Sequence, residues 1–243
     1  MPRFAVVVFP GSNCEDDVEY ALHDVLGEEA RLVWHKETSL AGFDACILPG
    51  GFAHGDYLRT GAIARFSPIM KAVEDFAEEG RPVFGICNGF QILQEAGLLP
   101  GAMLRNRTLR YICRYLHLRV ETTDSPVTGS FDEGDVLRIP IGHGDGNYYA
   151  DPATLAELES EGRVVLRYTS AAGERTDEDN PNGSLHAIAG IKNARGNVVG
   201  IMPHPDRCYE PALGTADGRK VFESFVACVR TSRRSRRSRG SSA

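Results

Sequence analysis

The chain has 243 residues, of which 42% are hydrophobic, 25% charged and 8% aromatic. This balance is typical of a globular protein and excludes a disordered or fibrous one, and its length allows a single α/β domain. The formal net charge is −6, but six arginines lie after Val229 in a stretch without acids, so the preceding body is twice as negative. A body this acidic disfavours nucleic-acid binding.

Two composition features bear on location and on metals. The first apolar run, Phe4–Phe9, ends at Pro10 and is too short for a signal-peptide core, and no later segment approaches a membrane span. We therefore expect a cytoplasmic protein without a membrane partner. The six cysteines are scattered and form no CxxC pair, which disfavours a disulfide framework and a zinc ribbon. We expect no metal site.

Short apolar runs alternate with helical patterns through the first hundred residues, which indicates βαβ units and a parallel sheet. Ser12 and Glu15 have the spacing of a capping box, and apolar residues then recur at helical spacing as far as Gly27. The buried strands predicted in this half are Phe4–Phe9, Arg31–Trp34, Ala45–Leu48 and Pro82–Ile86.

The second half has more irregular strand signals, which predict a mixed extension of the sheet. Asp151 should cap a helix that ends at Glu161, residues 193–196 should form a hairpin turn, and Gly218–Val229 should form the last helix. Residues 1–229 are predicted to be one domain and residues 230–243 a disordered Arg/Ser-rich tail. The further predicted strands are Ile112–Thr122, Leu137–Ile141, Val164–Tyr168, Leu185–Ile191 and Asn197–Ile201.

Cys87 lies between a buried strand and a helical pattern, in the sequence Gly85-Ile86-Cys87-Asn88-Gly89. Small flanking residues permit the sharp strand-to-helix turn of a nucleophile elbow. The helix N-terminus also favours a thiolate. The alternative is a buried structural cysteine whose glycines close-pack a turn, but the combined pattern favours a nucleophile.

A base and an oxyanion site are predicted at two other strand ends. His204 follows a predicted strand and can act on the thiol and the leaving group, while Asp206 can orient it. The alternative is a surface histidine in a proline-rich loop. Gly50-Gly51 ends another strand, where ligands of open α/β sheets bind, although an isolated Gly-Gly is only a turn. One N–H group there and that of Asn88 would form an oxyanion hole.

These motifs resemble, in order and spacing, the class I triad-type glutamine amidotransferases. The segments Phe9–Glu15, Phe52–Met70 and Asn106–Arg110 are further similar to the glutaminase subunits of phosphoribosylformylglycinamidine synthases. The resemblance covers residues 3 to 228, approximately. It implies a flavodoxin-like α/β fold, in which an open mixed, mostly parallel sheet carries helices on both faces.

The same resemblance implies a reaction. Cys87 would attack the side-chain amide of glutamine, and the oxyanion would rest on the N–H groups of Gly51 and Asn88. His204 would protonate the departing ammonia and then activate water to release glutamate from a thioester, with Asp206 as the third triad member. The substrate-binding residues that it implies are Gly50, Phe52, Gln91 and Asp145.

A separate synthetase subunit is implied as the partner, together with a small accessory subunit. The chain itself would need no cofactor, because the synthetase subunit would bind ATP and Mg²⁺ and would receive ammonia through a tunnel. The sequence agrees with this division, since no strand end carries a Gly-x-x-x-x-Gly-Lys or Gly-x-Gly-x-x-Gly loop. Residues 55–65 and 106–110 are expected to form the docking surface.

One departure from the family pattern keeps alternatives open. Family members usually carry glutamate two residues after the histidine, whereas Asp206 is one methylene shorter. We therefore expect weakened or conformationally adjusted catalysis, and a non-catalytic scaffold subunit is an alternative. A cysteine hydrolase of the PfpI and DJ-1 type is a second, but it typically has histidine directly after the nucleophile, where this chain has Asn88. Nucleic-acid binding through the arginine tail is a third.

Overall fold

A single mixed sheet organises the protein, which is described by a computed structural model over residues 1–240. The strands are β1 (Arg3–Val8), β2 (Glu29–Trp34), β3 (Ala45–Leu48), β4 (Val83–Ile86), β5 (Ala102–Leu104), β6 (Ile112–Val120), β7 (Val136–His143), β8 (Asn147–Tyr149), β9 (Val164–Thr169), β10 (Ile188–Lys192) and β11 (Val198–Ile201). The helices are α1 (Glu15–Tyr20), α2 (Pro68–Glu78), α3 (Asn88–Glu95), α4 (Pro152–Ser160) and α5 (Asp217–Gly240).

The main sheet has nine strands within the described residues, in the order β2-β1-β3-β4-β11-β10-β9-β6-β7. From β2 to β11 neighbouring strands are parallel, and from β11 to β7 they are antiparallel. Strands β5 and β8 form a separate antiparallel ribbon. The predicted open mixed sheet is confirmed, and its parallel part consists of four strands from the first half of the chain and β11 from the second.

Helices cover both faces of the parallel part. Successive strand residues point to opposite faces, and in β4 the ring of Phe84 packs against Phe222 and Phe225 of α5. The next residue, Gly85, faces α3, where an added Cβ would lie 2.6 Å from Leu93 Cδ1. The all-buried pattern of β3 and β4 follows from this double covering.

Two local predictions at helix ends have opposite outcomes. The Asp151 cap is confirmed, because its Oδ1 accepts hydrogen bonds of 3.0 Å from the N–H groups of Ala153 and Thr154. The capping box at Ser12 is wrong. Its hydroxyl instead accepts from the Phe9 N–H, and α1 begins after Cys14 without a side-chain cap. Ser12 does not cap the helix because it forms an antiparallel β-bridge with Gly51.

The segment Leu185–Ile191 also differs from its predicted strand. Residues 185–187 form a 3₁₀ turn in which His186 and Ala187 have φ values of 53° and 56°, so β10 starts only at Ile188. The predicted hairpin between β10 and β11 is confirmed by their antiparallel pairing.

The last helix continues well beyond Val229. Helix α5 extends to Gly240, so residues 230–240 are helical rather than disordered as expected, while residues 241–243 lie outside the described chain. Arg230 pairs with the buried carboxylate of Glu28, and Arg233 and Arg236 lie 3.4 and 3.6 Å from Asp44. The domain boundary at residue 229 stays a prediction. None of the described helices combines the length and apolar character that a bilayer crossing requires.

Candidate active site

Three neighbouring parallel strands bring the predicted site together. Gly50 and Gly51 follow β3, Cys87 follows β4 and His204 lies three residues after β11. These strands are adjacent and parallel, so their carboxyl ends meet at one edge of the sheet. Sheet order therefore joins motifs that lie more than a hundred residues apart in sequence.

The turn at Cys87 has the geometry of a nucleophile elbow. Cys87 has φ 49° and ψ −104°, a conformation that costs a non-glycine residue about 1–3 kcal/mol and recurs at functional sites. The turn is tight because α3 lies directly on β3: a Cβ on Gly89 would come within 1.9 Å of the Leu48 carbonyl oxygen. Glycine is required there for close approach, as the sequence pattern indicates.

His204 is held from two sides. Its backbone N–H donates to the Pro140 carbonyl of β7 at 2.8 Å, and its ring Nδ1 lies 3.2 Å from Asp206 Oδ2. Both side chains are buried. The carboxylate favours the proton on Nδ1, which leaves Nε2 available as a base, and Nε2 has no hydrogen-bond partner within residues 1–240. The shorter aspartate therefore does reach the histidine.

The charges around His204 favour its protonated form. Burial alone lowers its pKa, but the carboxylate of Asp206 and the thiolate of Cys87 outweigh this effect and raise the pKa well above the ordinary value. A positive charge near a cysteine nucleophile favours the thiolate, which is the attacking species. The Cys87 sulfur also lies 3.9 Å from the Gly142 carbonyl oxygen, which bounds the site on the β7 side.

Cys14 is a neighbour of the base that sequence reasoning missed. Its buried sulfur lies 3.9 Å from His204 Nδ1 and accepts from the Arg207 guanidinium at 2.9 Å. Gly50 packs on the same ring, where a Cβ would come within 2.6 Å of His204 Cε1. In the sequence Cys14 belongs only to the motif at residues 9–15, and no local pattern connects it with a residue 190 positions away.

One group of side chains in the described part of the chain has the composition and spacing to hold a metal ion. Cys14, His204 and Asp206 could each offer one ligand atom, all within 4.8 Å of one another. However, the guanidinium of Arg207 already places a positive charge against the Cys14 sulfur. The arrangement therefore favours holding an imidazolium over holding a metal ion.

The predicted oxyanion donors lie beside the elbow. The N–H of Asn88 belongs to the first residue of α3, which has no acceptor within its own helix. The bridge near Gly51 uses the N–H of Phe52, which donates to Gly11, and the carbonyl of Gly50, which accepts from Asn13. The Gly51 N–H makes none of these hydrogen bonds, so it stays a candidate donor to the oxyanion.

A cavity of about 180 Å³ reaches the nucleophile. Of the predicted substrate contacts, Phe52, Gln91 and Asp145 line it, whereas Gly50 does not, because it packs against His204. Sequence reasoning missed several of its other walls. The full lining is Gly51, Phe52, Asp56, Thr60, Cys87, Gln91, Tyr111, Gly142, His143, Gly144 and Asp145.

Hydrogen bonds hold opposite walls of this cavity in register. The Asn88 amide donates to Gln91 Oε1 at 2.9 Å and accepts from the Ala53 N–H at 3.0 Å. Gln91 in turn donates to the Asp145 carbonyl at 2.7 Å. Because each end of the Gln91 amide makes one of these hydrogen bonds, its position in the wall indicates that it supports the loop at Asp145.

His143 differs from His204 although both are buried. Its Nδ1 lies 3.2 Å from the amide oxygen of Asn106, which also accepts from the Gly146 N–H at 3.0 Å. Burial and the neighbouring His204 lower the pKa of His143 to about 3. His143 is therefore neutral at physiological pH, with its proton on Nδ1 and an acceptor at Nε2.

Comparison with known proteins decides the family. The sequence profile described as the CobB/CobQ-like glutamine amidotransferase domain matches residues 1–219. The chain belongs to this amidotransferase family. Membership of this family also decides against the alternative of a cysteine hydrolase of the PfpI and DJ-1 type, which the elbow alone left open.

Individual relatives cover nearly the whole amidotransferase. It is 58% identical to the phosphoribosylformylglycinamidine synthase subunit PurQ of Salinibacter ruber, over 92% of this chain and 95% of the relative. Its identity with the subunit of the same name from Moorella thermoacetica is 59%, over the same shares. In the structure of PurLQS from Thermotoga maritima, a chain that is 43% identical superposes with a TM-score of 0.82, over 94% of this chain and 99% of that one.

Proposed function

We propose that this amidotransferase is the glutaminase subunit of a phosphoribosylformylglycinamidine synthase. It hydrolyses glutamine to glutamate and ammonia, and it passes the ammonia to a synthetase subunit in purine biosynthesis. The observation that carries the proposal is the contact of 3.2 Å between Asp206 and His204 beside the strained Cys87 elbow. The names of the relatives supply the pathway and the synthetase partner.

The reaction begins with attack of the Cys87 thiolate on the side-chain amide carbon of glutamine. The N–H groups of Gly51 and Asn88 receive the oxyanion of the tetrahedral intermediate. The proton on His204 Nε2 then goes to the leaving nitrogen, so that ammonia departs and a glutamyl thioester remains. His204, now neutral, takes a proton from water, which attacks the thioester and releases glutamate and the thiolate.

Each supporting residue has a defined task in this scheme. Asp206 keeps the second proton on Nδ1 and stabilises the imidazolium. The cavity that Phe52, Gln91 and Asp145 line holds the glutamine. We further propose a cytoplasmic location, a small accessory subunit, and binding of ATP and Mg²⁺ by the synthetase subunit rather than by this chain.

The surface beside the cavity mouth is where we expect the synthetase to dock. Leu58 lies between two lining residues, Asp56 and Thr60, and Leu109 lies two residues before Tyr111. Both leucines are strongly exposed, at 89% and 74%. Apolar side chains this exposed are typical of interaction surfaces.

Two of the four arginines in residues 55–65 and 106–110 have hydrogen-bond partners within the chain. Arg59 donates to both carboxylate oxygens of Glu95 at 2.6 Å, and Arg107 donates to the carbonyls of Asp177 and Asn180. We therefore assign the contact energy at this surface to the leucines rather than to Arg59 and Arg107.

The proposal is tested by product formation from formylglycinamide ribonucleotide and ATP. A purified candidate synthetase subunit and accessory subunit receive either glutamine or ammonia, with the wild-type chain, the Cys87→Ser variant or no chain. We expect ammonia to support the reaction in every case and glutamine to support it only with the wild-type chain. If ammonia works but glutamine never does, the chain is a scaffold or serves another synthetase.

A further inference from the structure

A buried carboxylate oxygen without a partner lies next to the base. Asp206 is fully buried, its Oδ2 lies 3.2 Å from His204 Nδ1, and its Oδ1 has no hydrogen-bond partner among residues 1–240. Buried polar atoms are almost always paired, because an ionised oxygen without a donor costs free energy. The unpaired Oδ1 therefore needs a structural reason.

The next residue of the chain, Arg207, could supply this donor but is turned elsewhere. Its side chain is half-buried, and the hydrogen bond that it makes in the described chain goes from Nη2 to the Cys14 sulfur at 2.9 Å. A guanidinium binds a carboxylate more strongly than it binds a neutral thiol, which is a weak acceptor. The pairing of Arg207 with sulfur is therefore imposed by its surroundings.

Cys14 lies where it can impose this arrangement. Its sulfur is 3.9 Å from His204 Nδ1 and within 4.8 Å of an Asp206 carboxylate oxygen. Its S–H group donates to Asn13 Oδ1 at 3.1 Å. Because the thiol proton is directed to Asn13, the sulfur lone pairs are left for the Arg207 guanidinium.

The position of this thiol is fixed by its neighbours. Cys14 is fully buried, its backbone N–H donates to the Gly50 carbonyl at 3.3 Å, and a Cβ on Gly50 would come within 3.1 Å of the sulfur. Burial raises the pKa of the Cys14 thiol, so the group stays protonated and is not a second nucleophile. Cys14 can therefore act on the base only through its contacts, as a neutral acceptor.

Release of Arg207 to the carboxylate would weaken the base, because two cations would then share one negative charge. We infer that Cys14 is a positioning residue for the base: its sulfur holds the Arg207 guanidinium away from Asp206 and so reserves the carboxylate for His204. Cys14 does not line the cavity in front of Cys87, so it acts through these neighbours and not on the substrate. This inference rests on the glutaminase function proposed above and adds a positioning residue to it.

The test is a double-mutant cycle in the full-length chain. Its readout is the rate at which iodoacetamide labels Cys87, measured by mass spectrometry of the Cys87 peptide, because the thiolate fraction rises with the positive charge of His204. Cys14→Ala should slow labelling about fivefold in the chain that keeps Arg207, since the freed guanidinium moves to Asp206. In the Arg207→Met chain the same substitution should change the rate less than about twofold, since no cation is left to compete. Cys14→Ser keeps an acceptor and should label within about twofold of the wild-type rate.

Cys46→Ala is the matched control, since Cys46 is an equally buried cysteine inside β3. It removes the same sulfur from the core and should leave the labelling rate of Cys87 unchanged. Equal slowing by Cys14→Ala with and without Arg207 would show that Cys14 acts by packing alone, and no slowing in either chain would also overturn the inference. If Cys14→Ala does not fold, Cys14→Val, which lacks the acceptor but fills the space, takes its place in the cycle.

A second measurement separates this inference from the proposed function. In the assembled synthetase, Cys14→Ala should lower kcat with glutamine about fivefold and change KM less than about twofold, while the rate with ammonia stays the same. A raised KM with unchanged kcat would assign Cys14 to substrate binding and overturn the inference. A wild-type chain that never supports the reaction with glutamine would refute the glutaminase function, whereas the labelling cycle, which needs neither glutamine nor a partner, would still decide the role of Cys14.

Discussion

Two buried histidines of the candidate site show how a single partner decides a charge state. His204 faces a carboxylate and has a raised pKa, whereas His143 faces the amide oxygen of Asn106 and has a pKa of about 3. Burial lowers both values, so the difference comes from Asp206 and from the thiolate. The site thus separates one proton-transfer group from one neutral acceptor.

Removal of the Asp206 carboxylate should make the protonated form of His204 less favourable. In Asp206→Ala we expect the pKa of His204 to fall, as measured by NMR titration of its ring signals. Glutamine hydrolysis should slow by about 10²–10⁴, which is less than the loss in Cys87→Ala, because a group that orients the base contributes less than the nucleophile. Equal losses in the two variants would show that Asp206 does more than orient.

The same pair makes stability depend on pH. The folded-state pKa of His204 is raised above its unfolded value of about 6.5, so the ion pair contributes its full stabilisation below that pH. The contribution is lost as the pH rises through the raised pKa. Asp206→Ala should therefore lower the free energy of unfolding more at pH 6 than at high pH.

The ionised form of Asp56 should lower the free energy of unfolding, whereas the His204 ion pair raises it. The folded pKa of Asp56 is raised to about 6, so the ionised form is destabilising above that pH and the penalty vanishes below its unfolded value, near pH 4. Asp56→Asn should raise the free energy of unfolding by roughly 1 kcal/mol at pH 7.5, a figure reduced for solvent screening, and by nothing at pH 3.5. Urea titrations at the two pH values would measure this, and a loss of stability at pH 7.5 would contradict it.

At the scale of elements, the elbow depends on how closely α3 lies against β3. Gly89 is the contact point, since a Cβ there would meet the Leu48 carbonyl oxygen at 1.9 Å. Alanine normally stabilises a helix relative to glycine by about 1 kcal/mol. Any destabilisation at this position therefore reports the packing of the helix on the strand and not helix propensity.

Gly89→Ala should lower the free energy of unfolding by about 2 kcal/mol or more and should abolish labelling of Cys87 by the glutamine analogue 6-diazo-5-oxo-L-norleucine, because the helix must shift. Gly129→Ala is the control, since its added Cβ would have only ordinary contacts, the nearest at 3.5 Å. It should change stability by less than about 0.5 kcal/mol. Equal effects of the two substitutions in denaturation curves would refute a special role for the close approach.

At the scale of the whole molecule, the clustered arginines and the strongly exposed leucines lie in different parts of the chain. The acidic body lies ahead of the six arginines at the C-terminal end, where Arg230 pairs with the buried Glu28. The strongly exposed leucines, Leu58 and Leu109, each lie two residues along the chain from a residue that lines the cavity. A partner that covers this surface would also shield the thioester from bulk water.

Leu58→Asp should weaken assembly with the synthetase subunit by about tenfold or more, because it places a charge in an apolar contact. Iodoacetamide labelling of Cys87 in the free chain should stay unchanged. Ala171→Asp introduces the same charge in an exposed turn after β9 and should leave assembly unaffected. Sedimentation or light scattering of the mixed subunits measures the outcome, and undisturbed assembly with Leu58→Asp would place the interface elsewhere.

The sequence by itself determined the parallel strands, the elbow at Cys87 and the candidate base at His204. Each is encoded in a short window: short apolar runs for strands, glycines on both sides of one cysteine, and a histidine three residues after a strand. Local windows of this kind report backbone geometry well because the steric requirements of turns and buried strands involve only neighbouring residues.

Only the tertiary structure decided what surrounds these residues. The contact of Cys14 with His204, the place of Asp56 in the cavity wall and the seating of Gly50 on the imidazole all join segments that only the order of strands in the sheet makes adjacent. The reach of Asp206 was likewise set by the anchoring of His204 to Pro140 on β7. Such long-range contacts depend on packing between elements, which no local pattern encodes.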